Sequence, residues 1–82
     1  MSRRDYSAEI PEAEVAAMSD NERRWYREVQ DLVRHARKRF WELQLDQDTG
    51  WYRVLDPVGR ELCPAQPLTT LRGFFHGLPP QA

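Results

Sequence analysis

The stretch SDNERRWYREVQDLVRHARKRFWELQL, residues 19–45, decides the fold. Ser19-Asp20-Asn21-Glu22 at its head is a capping box, in which the Ser19 hydroxyl and the Glu22 carboxylate satisfy backbone N–H groups left open at a helix start. Beyond it, at about 100° per residue, Trp25, Val29, Leu32, Val33, Ala36, Phe40 and Leu43 share one face, with Tyr26 at its border. No proline or glycine interrupts the run before Gly50. The reading is therefore one long amphipathic helix from about Ser19 to Leu45. Its opposite face carries Arg23, Arg27, Arg34, Arg37 and Lys38, and Trp41 falls among them.

The flanks read outward from that helix. Residues 1–9 are short, polar and without period, which predicts a flexible N-terminal tail. Pro11 can open a short first helix, since its missing N–H is no loss at the first helical position. Glu12 and Glu14 suit the positive end of that helix, and Val15 and Met18 give it a small apolar edge. On the other side, Asp46–Gly50 ends the long helix. Trp51–Leu55 has the aromatic and β-branched composition of a strand. Asp56-Pro57-Val58-Gly59 is a turn signal, with Asp first, Pro preset for the second position and Gly fourth, and Arg60–Cys63 returns as a second strand, making a hairpin. Pro64 and Pro67 bracket a loop. Leu68, Leu71, Phe74, Phe75 and Leu78 then space themselves as the buried face of a third helix, with Gly77 placed to end it in the left-handed conformation and Pro79-Pro80 barring continuation.

The expected architecture is α+β: a short helix, a long amphipathic helix, a β-hairpin and a short C-terminal helix around one small core, spanning residues 10–82 as a single domain. Trp25, Val29, Leu32, Val33, Phe40, Leu43, Val54, Leu62, Leu71 and Phe75 are the expected core. A chain of 82 residues buries only about 60% of its unfolded surface, and a homodimer is one way to make up the shortfall. A lone cysteine, Cys63, excludes an internal disulfide and fits a reducing compartment. The N-terminal residues have no apolar run after Arg3 and Arg4, and no stretch approaches the roughly 20 apolar residues of a membrane span. The expected location is the cytoplasm, with no membrane partner.

The net charge of −1 hides an uneven distribution. Residues 23–40 hold six arginines and Lys38 against Glu28 and Asp31, while the segments on either side are net acidic. Catalytic and metal chemistry find little support. Asp46, Asp48 and Gly50 open like a calcium loop, but Trp51 and Pro57 stand where its glycine and bidentate glutamate belong. Asp48-Thr49-Gly50 matches the aspartic-protease tripeptide in a chain too short for that barrel. Cys63 is tied to neither His35 nor His76 by any local motif and reads as a small buried thiol. No glycine-rich phosphate loop or His/Cys metal spacing occurs. No enzymatic activity, cofactor or metal is expected.

The segment Leu71-Arg72-Gly73-Phe74-Phe75-His76-Gly77-Leu78-Pro79, following a hairpin, resembles the closing segment of phage-encoded type I-F anti-CRISPR inhibitors. The rest of the chain departs from that family, which is strand-rich where this chain is helical. The resemblance implies a small mobile-element protein that binds and blocks a larger machine. From the residues themselves, arginine and aromatic side chains dominate interface hot spots. The expectation is a regulatory or adaptor protein that binds another protein through Arg23, Arg27, Arg34, Arg37 and Lys38, with Trp41 as aromatic anchor. The alternative is nucleic-acid binding by the same basic helix against phosphates.

Overall fold

The computed structural model describes residues 4–77. Along the chain run α1 (Glu12–Ala17), α2 (Asp20–Arg37), β1 (Glu42–Leu45), β2 (Tyr52–Leu55), β3 (Glu61–Gln66) and α3 (Leu68–His76). The fold is α+β, with one antiparallel sheet in the order β1-β2-β3. Val29, Leu32, Val33 and Ala36 of α2, Leu68, Leu71 and Phe75 of α3, and Leu43, Tyr52, Val54 and Cys63 of the sheet form one buried cluster, with Trp25, Leu45 and Phe74 packed at its edge. Among the described residues no helix is long and apolar enough to cross a membrane.

The long helix is shorter than its sequence suggests. Its start is as read: the Ser19 hydroxyl accepts from the Glu22 N–H at 3.2 Å. The Glu22 carboxylate, however, accepts from the Tyr6 hydroxyl rather than closing the box. The helix ends without proline or glycine. The Phe40 N–H bonds the Arg37 carbonyl, and the Trp41 N–H reaches back to the Ala36 carbonyl at 2.9 Å. That pair of bonds is a Schellman motif, and its left-handed position, normally glycine's, is held by Phe40 at φ 61°. Two expectations fall with it. Phe40 is 81% exposed rather than in the core, and Leu43 enters the core from a strand.

A left-handed conformation crowds the Cβ of an L-residue and costs about 1–2 kcal/mol. An exposed Phe40 ring recovers little of that through packing. Phe40→Gly should therefore raise stability by about 1 kcal/mol, read as a higher melting temperature in calorimetry. A lower one would mean the ring makes contacts that outweigh the strain.

The hairpin expected from the sequence is present, and β1 adds a third strand. In the register, Leu43 faces Val54 and Val54 faces Cys63, so these three carry the core side of the sheet. The β2–β3 pairing is irregular on both sides of Val54. This slip turns Cys63 inward and leaves Leu62 40% exposed, against its expected core place. Asp46–Gly50, read as a helix end, is the β1–β2 connection, with Gly50 at φ 77°. The Asp56–Gly59 turn is as read: the Gly59 N–H bonds the Asp56 carbonyl, and the Asp56 carboxylate accepts from the Val58 and Arg60 N–H groups. Those donors hold the Asp56 carboxyl below its ordinary range. The expected loop at Pro64 is part of β3, whose outer edge tolerates a residue lacking an N–H. Gly77 closes α3 in right-handed rather than left-handed geometry, and Leu78, Pro79 and Pro80 lie outside the described residues.

Residues 5–10, of which 5–9 were expected from the sequence to be loose, form a strap across α2 and the sheet. The Tyr6 N–H donates to the Tyr52 hydroxyl at 2.8 Å, and that hydroxyl donates to Asp5. Gln30 donates from its side-chain amide to the Tyr6 and Ala8 carbonyls, and the Ile10 N–H donates to the Tyr26 hydroxyl. Ile10 is buried. The strap is held by polar side chains of the domain meeting its backbone, a signal that hydrophobic periodicity does not carry.

Candidate functional site

The outward side of α2 is where the sequence placed a binding face, and its six nominated residues have separate fates. Arg23 is committed to the fold. Its guanidinium donates to the carbonyls of Val15, Ala16 and Met18 and pairs with Asp20 at 3.2 Å. These carbonyls close the C-terminal end of α1, a natural seat for a cation. Arg23 is thus a clamp between two helices, with its side chain only 28% exposed.

Arg34 stays outward, 72% exposed, in an i,i+3 pair with Asp31 at 2.9 Å. Exposed pairs of this kind contribute between about 0 and 1 kcal/mol, so Arg34 can exchange Asp31 for another carboxylate at little cost. Arg27 and Arg37 are exposed and make no ion pair or hydrogen bond within the described residues. Lys38 is also exposed, at the last turn.

Trp41 leaves the arginine face. Because the chain reverses at Phe40, its ring is half-buried against α3, 6.2 Å from Phe74 and 6.3 Å from Phe75 between centroids. The Arg39 guanidinium lies 5.5 Å over its ring. The exposed aromatic residue at this corner is Phe40 instead.

Two further arginines join the face. Arg24 is exposed and, like Arg27, has no partner among the described residues. Its helical position beside Asp20, Arg27 and Asp31 was readable from the spacing. Arg72 comes from α3 and pairs with Glu28 at 3.4 Å, a juxtaposition only the fold creates. Arg23, Arg24, Arg27 and Arg72 with Asp20, Glu28 and Asp31 line an open cleft of about 440 Å³ between α2 and α3. On the other flank, Glu9, Tyr26, Arg27, Gln30, Arg34 and Arg37 line a groove of about 550 Å³ beside the strap. Arg27 stands on the ridge between the two.

No protein-family model, curated protein or solved structure matches this chain. The side chains alone speak for the site.

Among the described residues no His, Cys, Asp and Glu side chains gather as a metal ion would require. Cys63 is buried, and burial, with the Glu61 charge adding, pushes its thiol above the ordinary range. At neutral pH it is a protonated apolar side chain rather than a nucleophile. His35 lies among the rings of Phe75 and His76, each 6.4 Å away between centroids. What the α2 face offers chemically is planar guanidinium donors, alternating with carboxylates along one exposed helix.

Proposed function

We propose that the chain is a non-enzymatic binding protein that docks through the outer side of α2 onto a surface of another protein that carries both acidic and basic groups. The observation that supports this best is the charge pattern of the α2–α3 cleft. Arg24 and Arg27 have no partner among the described residues, while Asp20, Glu28 and Asp31 line the same cleft. A phosphate backbone would meet those three carboxylates at close range. A protein surface of mixed sign can answer both kinds of charge, and such complementarity sets specificity and register. Guanidinium groups are suited to bidentate carboxylate pairing at an interface.

The test is the double variant Arg24→Glu/Arg27→Glu, used as bait beside the unaltered chain for capture from source cells. Neither side chain supports the fold, so melting temperature should be unchanged. Losing a charged contact at an interface costs about 2 kcal/mol or more, and proteins held by the unaltered chain should be retained at least about tenfold less well. Equal capture by both baits would overturn the assignment.

A second reading, nucleic-acid binding, draws on the groove beside the strap, where Tyr26, Arg27, Arg34 and Arg37 face a single carboxylate, Glu9. It differs in outcome: material captured would be nuclease-sensitive, and affinity for mixed-sequence DNA or RNA would fall linearly in log–log terms with salt.

A further inference from the structure

We propose that β1 is a self-association edge, pairing antiparallel with β1 of a second copy of this chain to form a continuous six-stranded sheet. The inference is independent of any partner bound by α2.

The sheet order leaves β1 and β3 at the edges. They are treated differently. β3 carries Pro64 and an irregular pairing, both of which discourage addition of a strand. β1, Glu-Leu-Gln-Leu, has neither. The strap passes nearby, since Asp5, Ser7 and Ala8 line a cleft with Glu42 and Leu43. Yet its backbone is bonded to Tyr52, Tyr26 and Gln30 side chains, and among the described residues no backbone bond joins it to β1.

The direction of the exposed groups follows from one hydrogen bond. The Asp46 N–H donates to the Trp51 carbonyl at 2.8 Å. In an antiparallel ladder bonded and non-bonded pairs alternate, so Gln44 with Arg53 and Glu42 with Leu55 are the bonded pairs. Leu43 and Leu45 therefore turn their N–H and C=O groups to the open edge. A second β1 can bond these groups only with its own Leu43 and Leu45. That requires a two-fold axis perpendicular to the sheet, with both α2 helices on the same side.

Charge selects the register. With Gln44 on the axis, Glu42 would face Asp46 of the other copy; with Leu45 on the axis, Glu42 would face Asp48. Both set like charges opposite one another. With Leu43 on the axis, Glu42 faces Gln44, and the Arg37-Lys38-Arg39 corner ahead of β1 is carried toward the Asp46–Asp48 connection of the other copy, twice by symmetry. The same register brings Phe40, 81% exposed and held in a conformation that disfavours it, toward the connection that leads into Trp51, itself 42% exposed. A strained backbone supporting an exposed ring points to a contact made outside the chain.

Sedimentation equilibrium of the full chain should give a monomer mass when dilute and a doubled mass when concentrated. Backbone exchange at Leu43 and Leu45 should slow at the higher concentration. Asp48→Lys alone and Lys38→Glu alone should each hold the mass at monomer, and Asp48→Lys with Lys38→Glu should restore the dimer by exchanging the charges across the axis. Circular dichroism confirms that each variant is folded. A monomer at every concentration overturns the proposal. So does a doubled mass with unaltered exchange at Leu43 and Leu45, or one indifferent to Asp48→Lys.

Discussion

Phe75→Ala should destabilise the domain by about 3–5 kcal/mol, the largest single effect expected here. Phe75 projects from α3 into the one core cluster and is buried. Its ring meets Phe74 edge-on at 5.3 Å and Trp41 at 6.3 Å between centroids. Alanine would leave a ring-sized void at the junction of α3, α2 and the chain reversal after Phe40. A domain of this size has a total stability of about 5–15 kcal/mol at most and belongs at the low end of that range. The melting temperature should fall by roughly 10 °C or more. An unchanged transition in calorimetry would show that α3 does not close the core as described.

Tyr52→Phe should cost about 1–3 kcal/mol despite leaving the buried ring in place. The hydroxyl accepts from the Tyr6 N–H and donates to Asp5, so its removal orphans a partly buried donor and frees the strap at its entry. The same hydroxyl gives the domain a pH dependence. Burial chiefly, with the Asp5 charge adding, raises the Tyr52 phenol above its ordinary value near 10, while the Tyr6 N–H opposes the shift. The folded state thus holds the proton more tightly than the unfolded state. Its stabilising contribution is whole below pH of about 10 and is lost as pH rises beyond it, at up to about 1.4 kcal/mol per pH unit. Tyr6 is raised also, by burial first and by Glu22 next, and its contribution is lost in the same alkaline direction. Urea unfolding at successive alkaline pH values should show the steep loss in the unaltered chain and a flattened one in Tyr52→Phe. Parallel curves would remove the hydroxyl from the strap's anchorage.

What the sequence carried and what it hid divide along physical lines. The start of α2 was legible because Ser19 caps by a local hydrogen bond, and the Asp56–Gly59 turn because proline and glycine announce their own dihedrals. The end of α2 was not. Its stop signal is a phenylalanine in a glycine's position, and the two leucines of β1 alternate over too few residues to outweigh a helical period that already accommodated Leu43. That one reversal removes Trp41 from the arginine face and turns it toward Phe74 and Phe75. Cys63 is buried as read, but Leu62 lost its expected core place because an irregular ladder is a property of two strands together. At the candidate site, Arg27, Arg34 and Arg37 were readable from helical spacing. The engagement of Arg23 with α1 and the arrival of Arg72 from α3 were not, because both depend on which elements become neighbours.

The strap also says where this sequence has room to vary. Tyr52, Tyr26 and Gln30 grip it largely by main-chain N–H and C=O groups, which every residue other than proline supplies. The identity of the attachment is thus stored in the receiving side chains, far along the chain, and hardly at all in positions such as Ala8. Substitutions at Ala8 should pass almost unnoticed, whereas Tyr26, Gln30 and Tyr52 should tolerate few replacements. A catalogue of natural variants of this chain would then show Ala8 drifting freely while the segment, held also by Asp5, Tyr6 and Ile10, remains in the same place.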